Sequence, residues 1–120
     1  MIVPIALELL KSDIGPKRWN AVGILGMVYE KRQINHLSEQ AAQRIKQTMI
    51  GISTNDKESV TRTTAVSILG KIGTTADIPL LENIAKSDSA TYKRGEKLRY
   101  PVREAAAEAI TAIRSRNRER

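Results

Sequence analysis

The residue types that could do chemistry are few in this chain. Its one histidine, His36, has no cysteine to join it, because the 120 residues contain none. A lone histidine without thiolates or a carboxylate motif cannot build a typical zinc set, so His36 reads as a surface loop residue. The serines show no nucleophile elbow and no histidine in pattern. Gly23-Ile24-Leu25-Gly26 and Gly70-Lys71-Ile72-Gly73 are spaced like fragments of a phosphate loop, but they fall within or at the end of helical patterns. There, glycine more naturally permits close helix contact. Glu104 and Glu108 stand one helical turn apart, the spacing of an ordinary solvent-facing pair. The expectation is therefore a protein that is not an enzyme, with no catalytic residues, no metal site and no cofactor.

Charge offers more. The net charge is +7, and the stretch from Thr91 to Arg120 holds nine basic residues against four acidic ones, which is +5 of that surplus. The basic residues are Lys93, Arg94, Lys97, Arg99, Arg103, Arg114, Arg116, Arg118 and Arg120. Such a cluster serves either as a solubilising surface or as a patch for nucleic acid or an acidic partner. Phosphate contacts from it would be salt-sensitive and non-specific. With no Phe, one Trp and three Tyr, few aromatic side chains are left for base stacking, which disfavours single-strand recognition.

The elements that position these residues follow from the same composition. Hydrophobic residues make up 41% and are almost all aliphatic, which suits closely packed helices. Two self-matches reveal a repeat. Pro4–Asp13 aligns without gaps on Pro79–Asp88, both ending in Lys-Ser-Asp, and Arg18–Val28 aligns on Arg62–Ile72, with a third copy at Arg103–Ile113. The copies begin at Pro16, Val60 and Pro101, which are 44 and 41 positions apart. One helix type is expected at 16–29, 57–72 and 101–114, where apolar residues recur at helical spacing, as in Ala65, Ile68, Leu69 and Ile72. The other is expected at 4–11, 38–50 and 77–86. Pro16 and Pro101 suit a first helical position. Asn55 with Glu58 reads as a capping box, and Gly73 reads as a helix stop at positive φ. The junction from Asp13 to Pro16 is short, whereas that from Asp88 to Pro101 carries a polar, basic insertion.

Val60–Asp88 resembles a HEAT repeat of the bacterial type also seen in phycobilisome-lyase-like proteins. The residues that carry the resemblance are Val60, Arg62, Ala65, Ile68, Leu69, Gly70, Ile72 and Gly73, then Asp77-Ile78-Pro79, Leu80, Leu81 and Asp88. Degraded copies extend it over nearly the whole chain, although 38–50 lacks the Ile-Pro opening. The resemblance implies an all-α fold, a right-handed α-α superhelix of about five to six antiparallel helices. It also implies that Arg18, Arg62 and Arg103 are ladder residues tying neighbouring repeats together.

Residues 1–114 are then one domain and 115–120 a basic C-terminal tail. The repeat register starts on a second-type helix and stops on a first-type helix, so the two ends are where unpaired surface is expected. Trp19, Val22, Gly26 and Tyr29 form a stripe that either packs on the neighbouring helix or stays exposed for self-association or docking. The functional expectation is an interaction module or scaffold for a partner protein, as a homodimer or within a larger complex. The alternative is a nucleic-acid-binding module using the basic region, and the third reading is a subunit of a lyase-like maturation factor. No signal peptide is read in the first residues, and no apolar run approaches the roughly 18 residues of a membrane span, so a cytoplasmic protein is expected.

Overall fold

The computed structural model describes residues 2–34 and 36–118, so Arg120 of the basic stretch lies outside it. Within these bounds the protein is all-α, with six helices and one small hairpin. The helices are α1 (Ile2–Leu9), α2 (Gly15–Glu30), α3 (Glu39–Asn55), α4 (Ser59–Ile72), α5 (Ile78–Ser87) and α6 (Pro101–Arg118). No described helix is long and apolar enough to cross a membrane.

Helices α2, α4 and α6 lie side by side, α4 touching both others. Each carries one companion: α1 on α2, α3 on α4 and α5 on α6. The molecule measures 48 × 40 × 20 Å. Its thinnest dimension is that of two helix layers, each about 10 Å deep. The core between and within the layers is aliphatic: Leu25, Ile45, Met49, Leu69, Leu81 and Val102 are fully buried. Small residues set the spacing of the inner row. A Cβ at Gly26 would come within 2.8 Å of Ile68, and one at Gly70 within 2.9 Å of the Ala109 Cα. Gly26 and Gly70 are each eight positions after a repeat arginine, so one contact recurs along the row. On α6 the matching position is Thr111, which is exposed.

Several local expectations are corrected. Asn55 does not cap α4, because it is the last residue of α3. The N-cap of α4 is Glu58, whose side chain makes no capping bond, while the Asp56 carboxylate accepts the Glu58 N–H at 2.9 Å. The capping box lies instead at Thr74, whose N–H donates to Asp77 at 2.9 Å. Gly73 has φ −73°, ordinary extended backbone. Its need for glycine is steric, since a Cβ there would collide with the Leu69 carbonyl oxygen. Helix α6 continues through Arg118, so 115–118 form its last turn rather than a separate tail. The insertion after Asp88 is a β-hairpin, β1 (Tyr92–Arg94) paired antiparallel with β2 (Lys97–Arg99). Gly95, at φ +67°, opens its two-residue turn, the place where glycine is favoured.

Candidate functional site

The sequence grouped all basic residues from Lys93 onward, but the fold divides them. Lys93, Arg94, Lys97 and Arg99 lie on the hairpin, with Arg103 at the start of α6. Arg114, Arg116 and Arg118 lie in the last turns of the same helix. Arg114 is eleven positions along the helix from Arg103, about 16 Å at roughly 1.5 Å per residue.

Some of these cations have internal work. Arg99 pairs with Glu104, its Nε donating to Oε2 at 3.2 Å and its Nη2 to Oε1, and the same carboxylate accepts the Tyr100 N–H at 3.1 Å. The shared hydrogen bonds from Arg99 hold the Glu104 carboxyl below its usual range. Together they fix the root of the hairpin to α6. Arg116 donates to the carbonyl oxygens of Gly70 at 2.6 Å and Gly73 at 2.9 Å, so it satisfies free carbonyls where α4 ends. Its exposure as a contact residue is reduced accordingly. Lys93, Arg94, Lys97, Arg114 and Arg118 are exposed and have no ion pair among the described residues.

On the α2 stripe, the packed alternative holds for three of the four residues. Val22 is fully buried, Tyr29 is buried beneath the Arg32 guanidinium, and Gly26 meets Ile68 of α4. These residues face the core because the helix row closes over them. Trp19, at 37% exposure, is the member that reaches solvent.

Two of the three repeat arginines, Arg18 and Arg62, make two-sided ladder contacts, and Arg103 makes only one side of them. Arg18 grips Asp56 with both arms, Nε to Oδ2 at 2.9 Å and Nη2 to Oδ1 at 3.2 Å, while Nη1 donates to the Ser12 carbonyl at 3.0 Å. Arg62 repeats the pattern: Nε and Nη2 reach Asp88 at 2.9 and 3.2 Å, and Nη1 reaches the Asp56 carbonyl at 2.7 Å. Each arginine thus binds the backbone of the junction before it and the carboxylate of the junction after it. Two parallel N–H···O bonds of this kind combine strength with geometric selectivity. The junctions before α2, α4 and α6 have the same turn, in which the Ser12, Asp56 or Asp88 side chain accepts the N–H two residues on. Ser12, and not Asp13, is therefore the counterpart of Asp56 and Asp88. Arg103 donates Nε to the Asp88 carbonyl at 2.7 Å and lies over the Tyr100 ring at 4.2 Å. Among the described residues no carboxylate pairs with it. Lys46 and Asp77, 2.9 Å apart and both mostly buried, add a tie between α3 and the turn before α5.

Burial raises the Asp56 pKa, but the Arg18 hydrogen bonds, the Glu58 N–H and the charges of Arg18 and Arg62 outweigh it. The net shift is below the ordinary 3.8. A carboxyl whose folded pKa is depressed stabilises the fold above its unfolded pKa and loses that contribution as pH falls through the folded value. Urea midpoints of the wild type are therefore expected to decline below about pH 4, more steeply than those of Asp56→Asn. Parallel acid slopes for the two proteins would contradict this.

One groove of about 750 Å³ lies between α1 and α3 and is lined by residues such as Val3, Leu7, Arg44, Ile45 and Thr48. Among the described residues no three of the types His, Cys, Asp and Glu are grouped to hold a metal ion. No protein-family model, curated protein or solved structure matches the chain.

Proposed function

We propose that this chain is an interaction module, a HEAT-like right-handed stack of helix pairs that binds a partner protein at the junction between α5 and α6. One observation carries the reading. Ser12 to Arg18 and Asp56 to Arg62 are each six positions, but Asp88 to Arg103 is fifteen. The first two junctions close the ladder without extra residues, so the fold does not need the nine inserted at the third. Those residues form an exposed hairpin with Tyr92 at 44% and Leu98 at 50% exposure among Lys93, Arg94 and Lys97. A two-stranded hairpin alone is marginal in water. This one is pinned through Arg99 and Glu104, so its cations and apolar tips are held in place. Insertions at repeat junctions collect on one face of a stack, where partners bind. The step from fold to partner binding is by analogy with other helix stacks.

The test is capture from the native host with the wild type and with K93E/R94E/K97E, followed by rebinding of the purified partner. The triple variant is expected to lose about tenfold or more in affinity, in line with reversal of several cross-interface charges. Equal affinity for both proteins would reject the hairpin as the contact arm.

The strand register supports a second reading. Tyr92 faces Arg99 and Arg94 faces Lys97, so these four side chains share one face of a two-stranded ribbon. A basic ribbon of that width fits a major groove. Two phosphate contacts, from Arg94 and Lys97, would weaken duplex binding roughly twelve-fold between about 50 and 200 mM salt. Absence of any duplex binding at the lower salt removes this reading.

A further inference from the structure

We infer that Arg103 is an open rung of the arginine ladder, and that through its two Nη groups it receives an aspartate of an acidic partner protein, the counterpart of Asp56 at Arg18 and Asp88 at Arg62. This rests on the protein-partner reading above and specifies its chemistry. At the first two rungs the Nε and Nη2 arms hold a carboxylate from the following junction, and Nη1 holds a backbone carbonyl. At the third rung the carbonyl contact persists, but it is made by Nε, the arm that elsewhere grips the carboxylate. The guanidinium is half-buried and stacked on Tyr100, which leaves both Nη groups without a hydrogen bond among the described residues. A stacked, planar fork loses little freedom on accepting a bidentate carboxylate.

Charge selects the occupant. The hairpin that leads into α6, tied to it through Arg99 and Glu104, carries Lys93, Arg94 and Lys97 against the single Glu96, so the approach favours an acidic segment. A second copy of this chain stacked in the same register does not fit. It would present Ser12, which carries no charge, where Asp56 and Asp88 stand in the ladder. It would also bring Lys31, just past the end of α2, towards Arg118 at the end of α6, both of them exposed and cationic. The geometry of the two filled rungs describes the ligand further. Its aspartate side chain also accepts the N–H two residues on, as Asp56 and Asp88 do, so it sits at a turn and not mid-helix.

The probe is a fluorescein-labelled deca-aspartate peptide, titrated by anisotropy into the full chain, with arginine Nε–H resonances followed by NMR. Arg103→Lys keeps the charge and removes the fork, and Arg114→Lys does the same at a rung-free site. Arg103→Lys is expected to bind the peptide about fivefold or more weakly, with Arg114→Lys unchanged and the Arg103 resonance shifting on titration. Equal affinities for the two lysine variants overturn the open rung. If K93E/R94E/K97E alone loses the peptide, the rung is overturned while the interaction reading stands. A short DNA duplex that displaces the peptide and loses as much affinity in Arg103→Lys overturns the aspartate in favour of phosphate. Circular dichroism melts of each variant confirm that the compared proteins are folded.

Discussion

Replacing Gly70 with alanine is expected to destabilise the protein by about 2 kcal/mol, whereas the same change at Gly23 stabilises it by about 0.5–1 kcal/mol. Both glycines lie inside helices, where alanine is intrinsically preferred because glycine loses more backbone freedom on folding. The local surroundings decide the sign. A Cβ built on Gly23 meets nothing within 4 Å, so only the propensity gain remains. At Gly70 it would lie 2.9 Å from the Cα and 3.0 Å from the Cβ of Ala109. Backbone cannot swing aside as a side-chain end can, so α6 must move away from α4. That displacement also strains Arg116, whose guanidinium reaches the Gly70 and Gly73 carbonyls from α6. Gly26 is intermediate, since its obstruction is the Ile68 side chain, Cδ1 at 2.8 Å, Cγ2 at 3.0 Å and Cγ1 at 3.1 Å, with no backbone atom among them. Urea unfolding of the three alanine variants measures the order directly. A Gly70→Ala protein as stable as Gly23→Ala would show that the helix row is not set by these contacts.

The same glycines show how much could be read from the sequence. Gly26 and Gly70 stood out because the segments Arg18–Val28 and Arg62–Ile72 align, and their alignment is physical: each copy must offer a gap to the helix that follows. Periodic apolar spacing located all six helices for the same reason, because each buries one face. The repeat arginines were legible as a set, but their partners were not. Matching Lys-Ser-Asp to Lys-Ser-Asp put Asp13 opposite Asp88, while the turns equate Ser12 with Asp88. Chemical likeness pulled the alignment one residue from the backbone geometry. The Asn55 cap failed because α3 runs on for five residues past Ile50, a length that depends on packing against α4. The hairpin was read only as a basic insertion, since its strands are three residues each and exposed, with no apolar alternation to betray them. Gly95 between two charged strands was the available signal. At the basic end, composition could count cations but could not tell that Arg99 and Arg116 were already engaged.

Removing one carboxylate from the ladder is expected to have the largest effect of any single change considered. Asp88→Ala should cost about 3 kcal/mol, because it leaves the Arg62 guanidinium mostly buried without its counter-charge. The Arg62 and Asp88 side chains are 13% and 9% exposed, so water cannot replace the lost partner without opening the junction. Asp88 also accepts the Ala90 N–H at 3.0 Å, and its loss frees the entrance to the hairpin. The backbone carbonyl that Arg103 uses remains, so α6 keeps one tie to this turn. Asp88→Asn preserves the shape and the turn hydrogen bond but not the charge, and should cost less. The decisive comparison is a double variant, Arg62→Met with Asp88→Leu. If the damage in Asp88→Ala comes from a stranded buried charge, replacing both partners by apolar side chains of similar size should recover at least half of it. The unrecovered part should reflect the Asp56 carbonyl, which loses its Arg62 donor, and the unpaired Ala90 N–H. Urea midpoints of the two single variants and the double variant measure both quantities. A double variant no more stable than Asp88→Ala would mean that the rung holds the stack through its hydrogen-bond geometry and not through its charge.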